Sequence, residues 1–258
     1  MQGMKTRPNR SSKERLIFAL DTGEDFQSAI AWVELLKDHV GMFKVGKEVF
    51  THFGPPIVSE IRARGGGVFL DLKFHDIPNT VAQAARAAVA MDISMFNIHA
   101  LGGTTMMGAT VESAGKRCKE LGVAQPIILA VTVLTSLDDS NLKEMGFLHG
   151  AAETALHLAQ LAHHAGLSGV VASAQDVIPI RKACGEDFLI VTPGVRLDDT
   201  VAGDDQKRVL TPQEAMSRGA DYIVVGRPIR LAQDPVATAE KIGEDILEGL
   251  SMRKISRS

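Results

Sequence analysis

Short apolar runs alternate with longer amphipathic segments along almost the whole chain. The short runs have the length and composition of buried β-strands, whereas the longer segments carry apolar residues at the spacing of helices. The predicted strands are residues 16–20, 42–45, 67–73, 94–98, 127–133, 169–172, 188–192 and 222–225. The predicted helices are residues 24–38, 48–64, 79–91, 104–121, 151–165, 175–182, 212–218 and 235–248, with a possible helical turn at 140–145.

Repeated strand–helix units within 258 residues predict one α/β domain, a (β/α)₈ TIM barrel covering residues 15–250. Residues 1–14 and 251–258 are expected to be flexible tails. A doubly wound open sheet is the alternative, but no Gly-x-Gly-x-x-Gly motif follows the first strand and no Walker lysine loop is present. Barrels carry their active sites at the C-terminal ends of the strands, so candidate residues are sought there.

Charged residues recur at the ends of the first three predicted strands. Side chains alternate between the two faces of a strand, so Asp21 shares a face with Ile17 and Ala19, opposite to Phe18. The same alternation separates the charged residues from the bulky apolar residues on the next two strands. If the bulky residues pack outward on the helices, the following charged side chains point into the barrel: Asp21, Lys44, Asp71 and Lys73.

The third strand leads directly into the most informative stretch, residues 71–80. It has the form Asp-x-Lys-x-x-Asp, with Asp76 following as the chain leaves the strand. Opposed charges at a strand-to-helix junction favour an active site. A solvent-exposed salt-bridge cluster, which contributes little to stability, is the alternative.

A second candidate site lies after the last two strands, where barrels often bind phosphate. Gly226 permits close approach of the backbone, and Arg227 supplies a bidentate donor. Arg196 and Gln206 lie on the long polar loop beside them, and loops of this length are usually functional. The alternative for Gly226 and Arg227 is a plain turn with a solvated arginine.

Composition narrows the class of partner. The formal net charge of -3 argues against a general nucleic-acid surface, which usually carries a basic patch. Because no apolar run is long enough for a transmembrane helix, no membrane association is expected. Cys118 and Cys184 stand alone, which fits a reducing compartment, and a cytoplasmic location is expected. His75 and His99 lie near the active face and are expected to orient backbone or carboxylate groups rather than bind a metal.

Several of these segments together resemble the orotidine 5'-phosphate decarboxylases of the bacterial type. The resemblance extends in order from about residue 15 to residue 250, and the ten-residue block around Lys73 is its most specific part. The matching segments are Leu20-Asp21, Lys44-Val45-Gly46, Asp71-Leu72-Lys73-Phe74-His75-Asp76-Ile77-Pro78-Asn79-Thr80, Leu134-Thr135-Ser136, Thr192-Pro193-Gly194-Val195-Arg196 with Gln206, and Val225-Gly226-Arg227-Pro228-Ile229.

The resemblance implies decarboxylation of orotidine 5'-phosphate to uridine 5'-phosphate, the last step of de novo pyrimidine nucleotide synthesis, without metal or organic cofactor. It implies that Lys73 stabilises and protonates the C6 carbanion within an array of Lys44, Asp71, Lys73 and Asp76. Substrate binding is then expected from these residues and from Asp21, Ile77, Thr80, Thr135, Arg196, Gln206, Gly226 and Arg227.

The resemblance also implies a homodimer with shared active sites, in which Asp76, Ile77 and Thr80 reach the substrate of the neighbouring subunit. Two alternatives stay open at this point. Magnesium-dependent sugar-phosphate decarboxylases and aldolases of the same barrel superfamily share the Asp-x-Lys-x-x-Asp pattern. A non-catalytic barrel that binds a phosphorylated ligand would share the phosphate site.

Overall fold

A computed structural model describes residues 10–196 and 210–255, with side chains up to residue 253. Eight parallel strands close into a barrel in which each strand pairs with its neighbours in chain order and β1 pairs with β8. The (β/α)₈ barrel predicted from the sequence is confirmed. The strands are β1 Leu16–Ala19, β2 Met42–Gly46, β3 Gly67–Phe74, β4 Met95–His99, β5 Ile127–Val131, β6 Gly169–Val171, β7 Leu189–Pro193 and β8 Tyr222–Val225.

Helices surround the barrel and follow the predicted order, with most ends within two residues of those expected. In the described part of the chain they are α1 Ser12–Arg15, α2 Phe26–Leu36, α3 Lys47–Phe53, α4 Pro55–Ala63, α5 Pro78–Ala90, α6 Gly103–Leu121, α7 Asp139–Glu144, α8 Ala151–His164, α9 Val177–Cys184, α10 Pro212–Arg218, α11 Arg227–Arg230 and α12 Pro235–Ile255. A short 3₁₀ turn precedes α6.

The single helix predicted for residues 48–64 is wrong. The segment forms two helices, α3 and α4, which meet at Gly54. Gly54 has a φ of 60° and a ψ of -154°, a combination that favours glycine and lies outside the helical region. Pro55 and Pro56 follow at the start of α4, where their missing N–H groups leave no helical hydrogen bond unmade.

The structure also differs from the sequence prediction at both ends of the domain. Residues 12–15, placed partly in the predicted N-terminal tail, form α1, whose first turn is closed by a reciprocal capping box between Ser11 and Glu14. At the other end α12 continues to Ile255, past the predicted domain limit at residue 250.

The strands carry two separate apolar layers, as the alternation predicts. Phe18, Phe43 and Leu70 belong to the large core between the strands and the helices. Ile17 and Met42 belong to a second cluster inside the barrel. Trp32 stacks on Phe18 with ring centroids 5.6 Å apart.

A buried ion pair fastens the N-terminal end of the barrel. Arg181 Nη2 lies 2.7 Å from Asp221 Oδ2, and neither side chain is more than 7% exposed. Arg181 also donates to the carbonyl oxygens of Phe188 and Gly219, and Asp221 accepts the N–H of Ile190. These hydrogen bonds offset part of the cost of burying the two charges. These contacts tie α9 to β7 and β8 at the end opposite to the predicted active site.

Cys118 and Cys184 are free, buried thiols, and burial raises the pKa of both. None of the described helices has the length and hydropathy needed to cross a membrane.

Candidate active site

A cavity of about 720 Å³ opens at the C-terminal ends of the strands, and this volume lies within the range of small-molecule sites. Seven of the eight strands contribute residues to its wall, and β4 is the exception. Many of the residues predicted to bind substrate line it: Asp21, Lys44, Asp71, Lys73, Thr135, Arg196, Gly226 and Arg227. The structure therefore gathers both sequence-predicted sites, the charged array and the glycine–arginine turn, into one cavity.

The Asp71 carboxylate lies between two ammonium groups. Lys73 Nζ is 2.7 Å from Asp71 Oδ1, and Lys44 Nζ is 3.5 Å from Asp71 Oδ2. The Asp71 side chain is 11% exposed and that of Lys44 is 13% exposed, so solvent screens these interactions less than at an open surface. The alternative of a solvent-exposed salt-bridge cluster does not fit this degree of burial.

Asp21 extends the array toward the mouth of the cavity. Its Oδ1 atom lies 3.2 Å from Lys44 Nζ, so that Lys44 bridges two carboxylates. The absence of a side chain at Gly46 leaves room for the Lys44 ammonium group, because a Cβ atom there would lie 3.0 Å from Lys44 Nζ. An added Cβ at Gly226 would also be crowded, at 3.1 Å from the Cβ of Ala19.

The sequence predicts a regular strand up to Lys73, but the backbone departs from regular strand geometry at this residue. Its φ is 52°, in the left-handed region that is sparsely populated for residues with a Cβ. The pairing of β3 with β4 shifts register between Leu70 and Phe74 at the same place, which has the character of a β-bulge. The side chains of Asp71 and Lys73 nevertheless both line the cavity.

Asn97 is a site residue that the sequence analysis missed. It lies on β4, is fully buried, and its Nδ2 donates to Asp71 Oδ1 at 2.6 Å. Its Oδ1 accepts the backbone N–H of Lys73 at 2.8 Å. A signal was present in the sequence, because Asn97 is an amide within an apolar strand and shares the inward face with Met95.

Asp76, Ile77 and Thr80 lie outside the cavity of their own chain. All three are exposed, and the Ile77 residue is 67% exposed. Asp76 Oδ1 accepts the backbone N–H of Ile77 at 2.6 Å, and no ion pair joins Asp76 to another described residue. This placement separates Asp76 from the Asp71–Lys73 pair, although the three residues are close in sequence.

The residues at the two ends of the loop that follows β7 are hydrogen-bonded to each other. Val195 pairs with Leu210 in an isolated parallel bridge, and the backbone N–H of Arg196 donates to the Leu210 carbonyl at 3.1 Å. Arg196 is therefore held at the cavity wall. Gln206, the other candidate on this loop, lies outside the described residues.

His75 and His99 stack beside the array, with ring centroids 5.3 Å apart. Burial of the imidazole lowers the pKa of His99 to about 4, with the charges of His75, Lys47 and Lys73 adding to this effect. His99 Nδ1 caps the following 3₁₀ turn by accepting the N–H of Leu101 at 3.4 Å. His99 thus orients backbone, as expected. No cluster of three or more metal-ligating His, Cys, Asp or Glu side chains occurs in the described parts of the chain.

The barrel and its charged cavity define a (β/α)₈ protein with a candidate ligand site at the C-terminal strand ends. Residues 14–242 match the family described as "Orotidine 5'-phosphate decarboxylase / HUMPS family", and the chain belongs to this family. It is 58% identical to orotidine 5'-phosphate decarboxylase of Syntrophus aciditrophicus, over 96% of this chain and 99% of the relative. It is 52% identical to the protein of the same name from Geobacter metallireducens, over 92% and 98% of the two chains.

A solved structure leads to the same family. The crystal structure of orotidine 5'-phosphate decarboxylase from Lactobacillus acidophilus superimposes with a TM-score of 0.78 at 37% identity, and the match covers 90% of this chain and 98% of that chain. The likeness therefore extends over the whole barrel.

The lowered pKa of His99 predicts a pH-dependent stability. The unfolded chain binds a proton at this residue near pH 6.5, whereas the folded chain binds it only near pH 4. Between these values the unfolded state holds more protons, so the free energy of unfolding falls as the pH drops through this window. Urea unfolding between pH 7 and 4.5 should show a smaller loss for His99→Gln than for the parent chain.

The matched control is His157→Gln, which changes an exposed histidine on α8. It should follow the parent curve. Parallel curves for His99→Gln and the parent would show that His99 does not contribute to the pH dependence.

Proposed function

We propose that this chain decarboxylates orotidine 5'-phosphate to uridine 5'-phosphate and carbon dioxide, with Lys73 as the proton donor. The observation that carries the proposal is the position of Lys73 Nζ, which lies 2.7 Å from the Asp71 carboxylate in the wall of the cavity. The names of the close relatives agree with it. Cytoplasmic location belongs to the same proposal and is supported by the two unpaired thiols.

The chemical step explains why an ammonium group is needed. When the bond between C6 and the carboxylate breaks, the electron pair stays on C6 in the plane of the ring, where no electron sink receives it. An ammonium group held beside C6 interacts more strongly with this anion than with the neutral carbon of the substrate, which lowers the barrier. Lys73 then transfers its proton to C6, carbon dioxide leaves, and Lys73 regains a proton from solvent.

Asp71 and Lys44 act on the ground state in this proposal. A carboxylate beside the departing carboxylate repels it, and this repulsion is relieved as carbon dioxide forms. Lys44 lies between Asp71 and Asp21 and supplies a shared counter-ion to the two carboxylates. Asp21 and Lys44 are also proposed to hold the ribose hydroxyl groups, and Thr135 to contact the base. No step requires a metal or an organic cofactor.

The phosphate is proposed to bind at the part of the cavity wall that follows β8, against Gly226 and Arg227. Gly226 lines the cavity, and an added Cβ there would lie 3.1 Å from the Cβ of Ala19, so the chain packs closely at this turn. The exposed Arg227 side chain and the pinned Arg196 line the same wall. A guanidinium offers paired donors to phosphate oxygens. Gln206 is proposed to contribute from the loop between residues 196 and 210.

Turnover of the substrate tests the function directly. The protein mixed with orotidine 5'-phosphate should convert it to uridine 5'-phosphate, measured by the change in ultraviolet absorbance, and Lys73→Ala should lower kcat at least about a thousandfold. Calorimetry should still detect uridine 5'-phosphate binding by the variant, because the phosphate and ribose contacts remain.

Dialysis against a chelator distinguishes the proposed reaction from the magnesium-dependent alternative. The rate of orotidine 5'-phosphate decarboxylation should be unchanged after dialysis. A rate that disappears and returns with magnesium would assign the site to the sugar-phosphate chemistry of the same superfamily, and binding without turnover would leave a non-catalytic barrel.

The phosphate wall gives a second prediction. Arg227→Ala should lower kcat/KM for orotidine 5'-phosphate about 10- to 100-fold, since it removes a charge-assisted contact with the phosphate. Orotidine, which lacks the phosphate, should be much less affected in the same steady-state assay. The control is Arg230→Ala, a change on the same short helix α11 at a residue that does not line the cavity. Equal losses on the two substrates would move the phosphate site elsewhere.

We also propose a homodimer in which Asp76, Ile77 and Thr80 complete the site of the partner subunit. Support comes from their position outside the cavity of their own chain and from the exposure of Ile77, an apolar residue. Because a two-fold interface uses the same patch on both subunits, each chain would lend these residues to the other.

Complementation of two inactive variants tests the shared site. In a mixed dimer of Lys73→Ala and Asp76→Ala chains, one site collects both changes and the other collects neither. Random mixing makes half of the dimers mixed, so about a quarter of the parent activity should return after the two variants are unfolded, mixed and refolded. Mass spectrometry verifies that mixed dimers form. If they form without regaining activity, Asp76 acts within its own subunit.

A further inference from the structure

Asn97 occupies a position in which both ends of its amide are used. It is fully buried on β4, and it does not line the cavity. Its Nδ2 donates to Asp71 Oδ1 at 2.6 Å, and its Oδ1 accepts the backbone N–H of Lys73 at 2.8 Å. One side chain therefore contacts the carboxylate of one residue of the array and the main chain of another.

The second contact bears on an unfavourable backbone conformation. Lys73 has a φ of 52°, where the Cβ of an L-residue crowds the backbone, so surrounding contacts must hold it there. Between Leu70 and Phe74 the regular pairing of β3 with β4 is interrupted. The Lys73 N–H consequently needs another acceptor, and Asn97 Oδ1 supplies it.

The first contact bears on the carboxylate. Asp71 Oδ1 accepts hydrogen bonds from Asn97 Nδ2 and from Lys73 Nζ, the latter at 2.7 Å. Asp71 Oδ2 faces Lys44 Nζ. A carboxylate can rotate about its Cβ–Cγ bond, and a neutral donor fixed in the barrel interior restricts this rotation without adding charge. The position of Lys73 Nζ then follows from the carboxylate it pairs with.

We propose that Asn97 is a positioning residue for the decarboxylation: it fixes the Asp71 carboxylate and the left-handed backbone of Lys73, so that the ammonium group faces the reacting carbon. The inference rests on the proposed role of Lys73. An amide suits this place because it offers a donor and an acceptor on one planar group. Leucine has a similar branched shape but offers neither a donor nor an acceptor, and aspartate would offer acceptors only, unless it carries a proton.

Asn97→Leu separates positioning from the filling of space, because it keeps the branched heavy-atom shape of the side chain and removes both hydrogen bonds. It should lower kcat roughly 10- to 100-fold, the effect of losing a hydrogen bond to a charged group. The affinity for uridine 5'-phosphate, measured by calorimetry, should change much less, since Gly226 and Arg227 are untouched. Hydrogen exchange at the Lys73 amide should become faster, which reports the lost main-chain contact independently of activity.

The control for the loss of a buried hydrogen bond is Thr110→Val. Thr110 is also fully buried and donates to the Met106 carbonyl at 2.8 Å, but within helix α6 and away from the cavity. This variant should lower the melting temperature and leave kcat unchanged. A loss of kcat in Thr110→Val as large as in Asn97→Leu would reduce the effect at Asn97 to general destabilisation and overturn the proposal.

Asn97→Asp supplies a second measurement if the leucine variant does not fold. Two carboxyl groups sharing one site hold a proton more tightly than a single one, and the introduced carboxyl group regains the donor toward Asp71 once it is protonated. The kcat of this variant relative to the parent should therefore rise as the pH is lowered. A ratio that does not change with pH contradicts the proposal, because a space-filling role is insensitive to protonation.

Lys73→Ala in the same assay distinguishes a failure of the proposed mechanism from a failure of the positioning role of Asn97. If Lys73→Ala retains turnover, the proposed mechanism itself is wrong. If Lys73→Ala is inactive while Asn97→Leu turns over at the parent rate, only the positioning role of Asn97 is overturned.

Discussion

The Asp71 carboxylate is the group on which the arrangement of the site depends. A carboxylate on a side chain that is only 11% exposed is unfavourable unless charged partners and hydrogen bonds replace the lost water. Lys73, Lys44 and Asn97 supply these partners from three adjacent strands, β3, β2 and β4. A slip of one residue in either neighbouring strand would turn the partner side chain to the outer layer. The electrostatics of the cavity and the strand register are therefore parts of one constraint.

The barrel separates this constraint from the contacts that hold its other end together. Arg181 and Asp221 form a buried pair at the N-terminal end, where both also hydrogen-bond to backbone groups. At the C-terminal end the paired charges instead face a cavity open to a ligand. The two apolar layers between these ends keep the strands in place. Such a division lets the reactive end carry strain, as at Lys73, while the remainder of the barrel provides the stability.

The barrel and the inward-facing charged residues were predictable from local periodicity in the sequence. The strand–helix alternation determined the barrel, and the two-residue period placed Asp21, Lys44 and Asp71 on the inner face, because both patterns depend only on neighbours in sequence. The glycine–arginine turn after the last strand was recognisable for the same reason. Gly54 with its two prolines also carried a local signal, and the break between α3 and α4 was missed although the residues indicate it.

Other features depend on contacts between residues distant in sequence, and only the tertiary structure decided them. Asn97 is 24 residues from Lys73, and no local pattern states that the two meet. The left-handed backbone of Lys73 arises where the pairing of β3 with β4 shifts, which is a property of two strands together. Asp76 belongs to the same short motif as Asp71, yet it lies outside the cavity because the chain turns away into α5. The sequence by itself determined which residues alternate along each strand. The folded barrel decided which of them touch, because strand register and chain direction at the strand ends are set by packing across the whole molecule.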